Sequence, residues 1–121
     1  MADFNDVSNK SQEQIIKTVT AVVLSGQTVS SKIDLWGTRA VTIAVPVGLT
    51  SIALTFQVSD DDVTYYPVRY ADNSAFTITV SNTAAAYALP VNMFAGWRHL
   101  KAVCGSPEPA DRTFKFIPYL V

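Results

Sequence analysis

The residues able to do chemistry are few and scattered. Asp60, Asp61 and Asp62 form one run, His99 is the lone histidine and sits near Arg98 and Lys101, Cys104 is the lone cysteine, and Asp72, Glu108 and Asp111 stand apart. General acid–base catalysis needs titratable groups held together and tuned by their surroundings. A glycosidase-type carboxylate pair would have to come from Asp60–Asp62, Asp72, Glu108 or Asp111, all in predicted turns, with nothing to fix their separation. Cys104 has no Cys or His partner at nucleophile or metal-ligand spacing, and no glycine-rich phosphate loop or supported Ser-His-Asp order is present. The expectation is a protein that is not an enzyme and has no catalytic, metal or cofactor residues.

The triple aspartate also fits poorly with calcium. Such an ion takes about six to eight oxygens, usually from several loops, and neighbouring side chains on an extended chain point apart. Aspartate suits a corner instead, because its side chain caps local backbone amides and tolerates turn dihedrals. Asp60–Asp62 therefore reads as a hairpin connection between two strands.

Those strands follow from period-2 alternation. In SIALTFQVS, Ile52, Leu54, Phe56 and Val58 fall on one face and Ala53, Thr55, Gln57 and Ser59 on the other, as in a sheet with one face buried. Val41, Ile43 and Val45 repeat the pattern until Pro46, which has no amide hydrogen for a ladder. Strands are expected near Val19–Leu24, Ser31–Leu35, Ala40–Val45, Ser51–Ser59, Tyr65–Tyr70, Ala75–Val80, Ala86–Ala88, His99–Cys104 and Thr113–Leu120, with turn residues at intervals of roughly 8 to 12 residues. VNMFAGW reads as a single turn that Gly96 stops. The fold class is all-β: an antiparallel two-sheet β-sandwich, jelly-roll-like, over 18–121. Residues 1–17 are polar and form an N-terminal arm, extended or with a short helix over Ser11–Lys17.

Bulk composition narrows the function classes. In 121 residues the net charge is −1 and only 16% of residues are charged, well under the roughly 25% of an average soluble protein. The nine Lys and Arg are dispersed, whereas a phosphate-binding surface gathers them on one face, so no nucleic-acid partner is expected. No apolar run nears the ~18 residues that span a bilayer, and the opening MADFNDVSNKSQEQ lacks the features of a signal peptide. No membrane is expected. With one cysteine there is no internal disulfide, consistent with a reducing compartment.

FQVSDDDVTYYPV resembles a strand–turn–strand motif, F-x-V-S-x-D-G-x-x-F/W-x-P-V, found in galactose-binding-like and discoidin-type sandwiches and in a group of small bacteriophage virion proteins. SGQTVSSKIDLWGTRAVTIAVP and ALPVNMFAGWRHLKAVCGSP are similar to the opening and closing motifs of the phage group, so the resemblance spans about Leu24 to Pro107. It departs at Asp62, where the group often has Gly, and at Cys104, where it often has Ser. The resemblance implies a capsid decoration, cement or head-fibre component, located in the virion and assembled in the host bacterial cytoplasm. Its partners would be the major capsid protein or another virion protein, and further copies of itself as a dimer or trimer.

Low charge with available aromatics suits a surface that meets other subunits. Phe4, Val7, Ile15 and Ile16 on the arm and Tyr119 and Leu120 at the C-terminal end are the candidate interface residues, the end reading as a segment that pairs as an edge strand or docks, with Pro118 marking the edge. The alternative is a glycan- or receptor-binding module of a head or tail fibre, stacking sugar rings on Trp36, Tyr66 and Trp97. Tyr65 and Tyr66 are adjacent on a strand and must face opposite ways.

Overall fold

The alternation written into the sequence becomes two antiparallel sheets in a computed structural model, which describes residues 18–35, 38 and 40–119. Nine strands follow one another: β1 (Val19–Val23), β2 (Ile33–Asp34), β3 (Ala40–Val45), β4 (Ala53–Ser59), β5 (Tyr66–Pro67), β6 (Ile78–Thr79), β7 (Ala85–Ala88), β8 (His99–Cys104) and β9 (Arg112–Tyr119). One sheet has the order β1-β9-β3-β7, and the other runs β2-β8-β4-β5, with β6 also paired to β4. The chain therefore crosses between sheets at every connection except β4–β5 and β5–β6, which is jelly-roll winding. No helix occurs among the described residues.

Leu54, Phe56 and Val58 of β4 and Val41, Ile43 and Val45 of β3 all point inward and are buried. Between the sheets lie five fully buried phenylalanines: Phe56, Phe76, Phe94, Phe114 and Phe116. Phe56 stacks on Phe76 at 5.7 Å between ring centroids and meets Phe94 edge-on at 5.6 Å, geometries that aromatic quadrupoles favour. Phe94 reaches the core from the turn 91–96, where Asn92 and Gly96 hold φ of 67° and 89°. Cys104 is buried on the inward face of β8, and burial pushes its thiol up, as suits a small apolar residue in the core.

Three expectations need correction. Ile52 is 67% exposed rather than inward: the ladder starts at Ala53, so the pleat does not fix the direction of Ile52. The expected strands at 65–70 and 75–80 shrink to two residue pairs, Tyr66–Pro67 and Ile78–Thr79. Both lie along one edge of β4, and between them the chain leaves and returns through a hairpin with Asn73 at φ 74° and an Arg69–Ala75 bridge.

The C-terminal strand is no edge. β9 lies between β1 and β3, with Phe114 and Phe116 at the centre of the core. Pro118 is tolerated there for a local reason. The Val41 carbonyl accepts from the Leu89 amide at 3.0 Å, so Val41 turns its backbone toward β7 and stands opposite Pro118 without bonding it. The missing hydrogen of Pro118 therefore faces the β1 side, beyond the last described pair, Val19 with Phe116. The proposed arm, residues 1–17, lies outside the described residues.

Glu108 ties one end of the sandwich together. Its carboxylate is 1% exposed and accepts from the Thr50 amide and hydroxyl (3.0 and 2.8 Å), the Ser51 amide and hydroxyl (3.0 and 2.7 Å) and Arg112 Nε (3.0 Å). Its own carbonyl accepts from the Gly26 amide at 2.7 Å, where φ of 81° calls for glycine. Burial alone would push the carboxyl up, but the donors from Ser51, Thr50 and Arg112 together hold it at about 2. A folded value depressed below the ordinary 4.5 means stability is full above that pH and is lost as pH falls toward 2. Glu108→Gln is expected to lower urea stability at neutral pH by about 2 kcal/mol. It should also flatten the acid loss between pH 4.5 and about 2; parallel pH profiles for the two proteins would contradict this role.

Candidate functional site

The corner at the end of β4 is built from its own side chains. Ser59 Oγ accepts from the Asp62 amide at 2.9 Å, and Asp61 Oδ1 accepts from the amides of Val63 and Thr64, both at 2.9 Å. Those two amides, with the Ser59 hydroxyl, hold the Asp61 carboxyl below the usual range. Asp62 adopts φ of 61°, the conformation glycine supplies elsewhere, and an aspartate tolerates it better than most residues. The departure from glycine thus leaves the tight turn intact.

Asp62 is also the centre of a charged surface. It bonds Lys32 and accepts from the Tyr65 hydroxyl, and these two partners hold its carboxyl low. Burial and then that same carboxylate push the Tyr65 phenol up. Lys101 Nζ sits 4.2 Å above the Tyr65 ring, within cation–π range. Asp34 pairs with Arg98 Nε at 2.9 Å, and His99 lies between Asp34 and Ser59 in register. Among the described residues the buried His99 Nδ1 atom has no hydrogen-bond partner. Asp34, His99 and Lys101, with Lys32 beside them, thus put charged and polar groups on the outward side of the β2-β8-β4 sheet, among the neutral Thr55, Gln57 and Val103, while Ser59, expected on this face, is 0% exposed. Among the described residues, no group of three or more His, Cys, Asp or Glu side chains could hold a metal ion.

Of the proposed glycan residues, Tyr66 and Trp97 come together, at 5.8 Å between ring centroids and an interplanar angle of 46°. Tyr66 is half exposed, whereas Trp97 packs partly against the core. Tyr65 turns the other way, to Asp62 and Lys101, as the alternation requires. Trp36 lies outside the described residues. So do Phe4, Val7, Ile15, Ile16 and Leu120 of the candidate interface, while Tyr119 ends β9 opposite Ala40.

The opposite sheet carries the surface that residue types alone did not single out. Outward from β1-β9-β3-β7 point Thr20, Val22, Thr42, Ala44, Ala86, Ala88, Thr113, Lys115 and Ile117, adjacent in register and with Lys115 the lone charge among them. Ala44, Pro46, Ala84, Thr113 and Lys115 help line an open recess of about 500 Å³ on this side. Each of these residues is unremarkable in the sequence, and the face exists only once β9 is seen to lie between β1 and β3. The sandwich therefore has one face of paired charges and one almost without charge.

Asp62→Ala is expected to destabilise the fold more than Asp62→Gly in thermal unfolding. Both lose the bonds to Lys32 and Tyr65, but only alanine must strain to hold the positive φ. Equal losses would mean that the dihedral has no part in the effect.

No protein-family model matches the chain, and no curated protein matches it. Among solved structures the chain is similar to the SPBc2 prophage-derived protein YomS, with 14% identity and a TM-score of 0.52 over 85% of this chain and 93% of that one. Two others align with TM-scores of 0.39, the disulfide-linked pili of Bacillus endospore appendages (8% identity, 88% of this chain and 89% of that one) and the Yersinia pseudotuberculosis-derived mitogen (14% identity, 86% of each), and carry no argument. The fold is one that this chain shares with a prophage-derived protein.

Proposed function

We propose that the chain is a structural protein of a bacteriophage virion, a capsid decoration or cement protein that acts by binding rather than by catalysis. The observation that carries this reading is the almost uncharged outer face of the β1-β9-β3-β7 sheet. Charge is depleted where protein surfaces meet, because each buried charge must be desolvated. A face of alanine, threonine, valine and isoleucine with an open recess can take part of another subunit at little desolvation cost. The resemblance of three motifs to small phage virion proteins and the fold likeness to a prophage-derived protein both support the reading. Binding would stabilise a shell through buried apolar area, about 25 cal/mol per Å² before association costs are subtracted.

In this reading the working form is a dimer or trimer of the chain on the head shell, and residues 1–17 act as an arm that orders on a neighbour. Purified chain is expected to load saturably onto particles lacking it and to raise their resistance to heat. Deleting residues 1–17 should abolish loading, scored by sedimentation; full loading of the truncated chain contradicts arm-mediated binding.

The second reading, a glycan-binding module of a fibre, is favoured by the Tyr66–Trp97 contact and the half-exposed Tyr66 ring. Under it, Tyr66→Ala removes retention on host polysaccharide and leaves particle loading unchanged. If Tyr66→Ala has no effect on retention, or the native chain is not retained at all, that reading fails.

A further inference from the structure

The almost uncharged sheet face is small. Four strands at about 4.8 Å spacing, overlapping over about five residues, give roughly 300 Å², well short of the ~800 Å² per partner of a stable interface. Self-docking of two such faces would also bury the Lys115 ammonium of each copy. No carboxylate points outward from this sheet to neutralise either one. The body of another copy is therefore a poor occupant. A short extended segment carrying an acid next to an apolar side chain fits both the area and the charge.

The chain contains such a segment. Residues 1–17 join β1, an edge strand of this same sheet, and include Asp3, Phe4, Asp6 and Val7. In an extended backbone Phe4 and Asp6 project to the same side, about 7 Å apart. The recess bounded by Ala44, Ala84 and Thr113 lies directly beside Lys115, so a phenyl ring seated there brings the acid two residues on toward the ammonium. A segment of this length reaches roughly 55 Å when extended, enough to cross to a neighbour.

We infer that the outward face of β1-β9-β3-β7 is the acceptor for residues 1–17 of a neighbouring copy, with Phe4 in the recess and Asp6 paired to Lys115. This deepens the virion reading, on which it rests only in taking copies to be neighbours. The pairing gives each subunit one donor segment and one acceptor face, a heterologous contact that closes into a ring or continues as an array.

The test needs no particles, so it can fail while particle loading succeeds, and the reverse. Isotope-labelled full-length chain is mixed at millimolar concentration with unlabelled full-length chain carrying a nitroxide on Ala88→Cys. Ala88 is exposed and Cys104 is buried, so the introduced thiol takes the label. Resonances of Asp3 to Val7 are expected to broaden in the mixture. Asp6→Lys on the labelled chain should weaken the association about fivefold, and Lys115→Glu on the nitroxide chain should restore it. Absence of broadening overturns the acceptor face. Broadening seen only when both labels share one chain overturns exchange between copies, and a charge swap that restores nothing overturns the Asp6–Lys115 pair.

Discussion

Two sheets can enclose one apolar core only if their longer strands give alternate side chains to it, and that constraint governs the rest of this molecule. The inward set, from Val41, Ile43 and Val45 through Phe114 and Phe116, is fixed by the need to fill the space between the sheets. The outward set is released from packing and free to be used. Since the ladders satisfy most backbone groups internally, the two outer faces differ mainly in what their side chains carry. One presents Asp34, His99 and Lys101 with Lys32 beside them, Asp34 paired with Arg98, Lys32 with Asp62 and Lys101 set over the Tyr65 ring; the other presents alanine, threonine, valine, isoleucine and a single lysine.

On the proposed reading, that asymmetry is what links the fold to a binding role. A face of paired ions is well solvated, and stripping its water costs more than most contacts return. Lys101 over the Tyr65 ring and Asp62 between Lys32 and Tyr65 are already engaged within the subunit. The β1-β9-β3-β7 face holds few such internal commitments. Its recess beside Lys115 offers apolar contact and one charge in the same place, a combination that gives orientation as well as area.

Much of the fold was legible in the sequence because period-2 alternation is a local signal. β3 and β8 fall on their expected ends, and β4 loses only its first two residues. What was hidden is nonlocal. The place of β9 in the middle of a sheet depends on which strands lie beside it, and Pro118 misled because its missing hydrogen faces the β1 side, beyond the last described pair, rather than an outer edge. Glu108 looked like one more turn carboxylate, since its donors on Thr50 and Ser51 stand 58 and 57 residues away in the chain. The aspartate corner was readable because the bonds that shape its turn, from Ser59 to Thr64, are local, whereas the Asp62 bond to Lys32 was not. The low-charge face was not, because its nine residues come from four separate strands.

The central claim is that the low-charge face, and not the charged one, is the surface covered on assembly. Acylation of lysine amines, read by peptide mass in the free chain and in the assembled particle, tests it most directly. Lys115 and Lys101 report the two faces within one sample. The account predicts that assembly protects Lys115 several-fold and leaves Lys101 as reactive as before. Protection of Lys101 with Lys115 unchanged would contradict it.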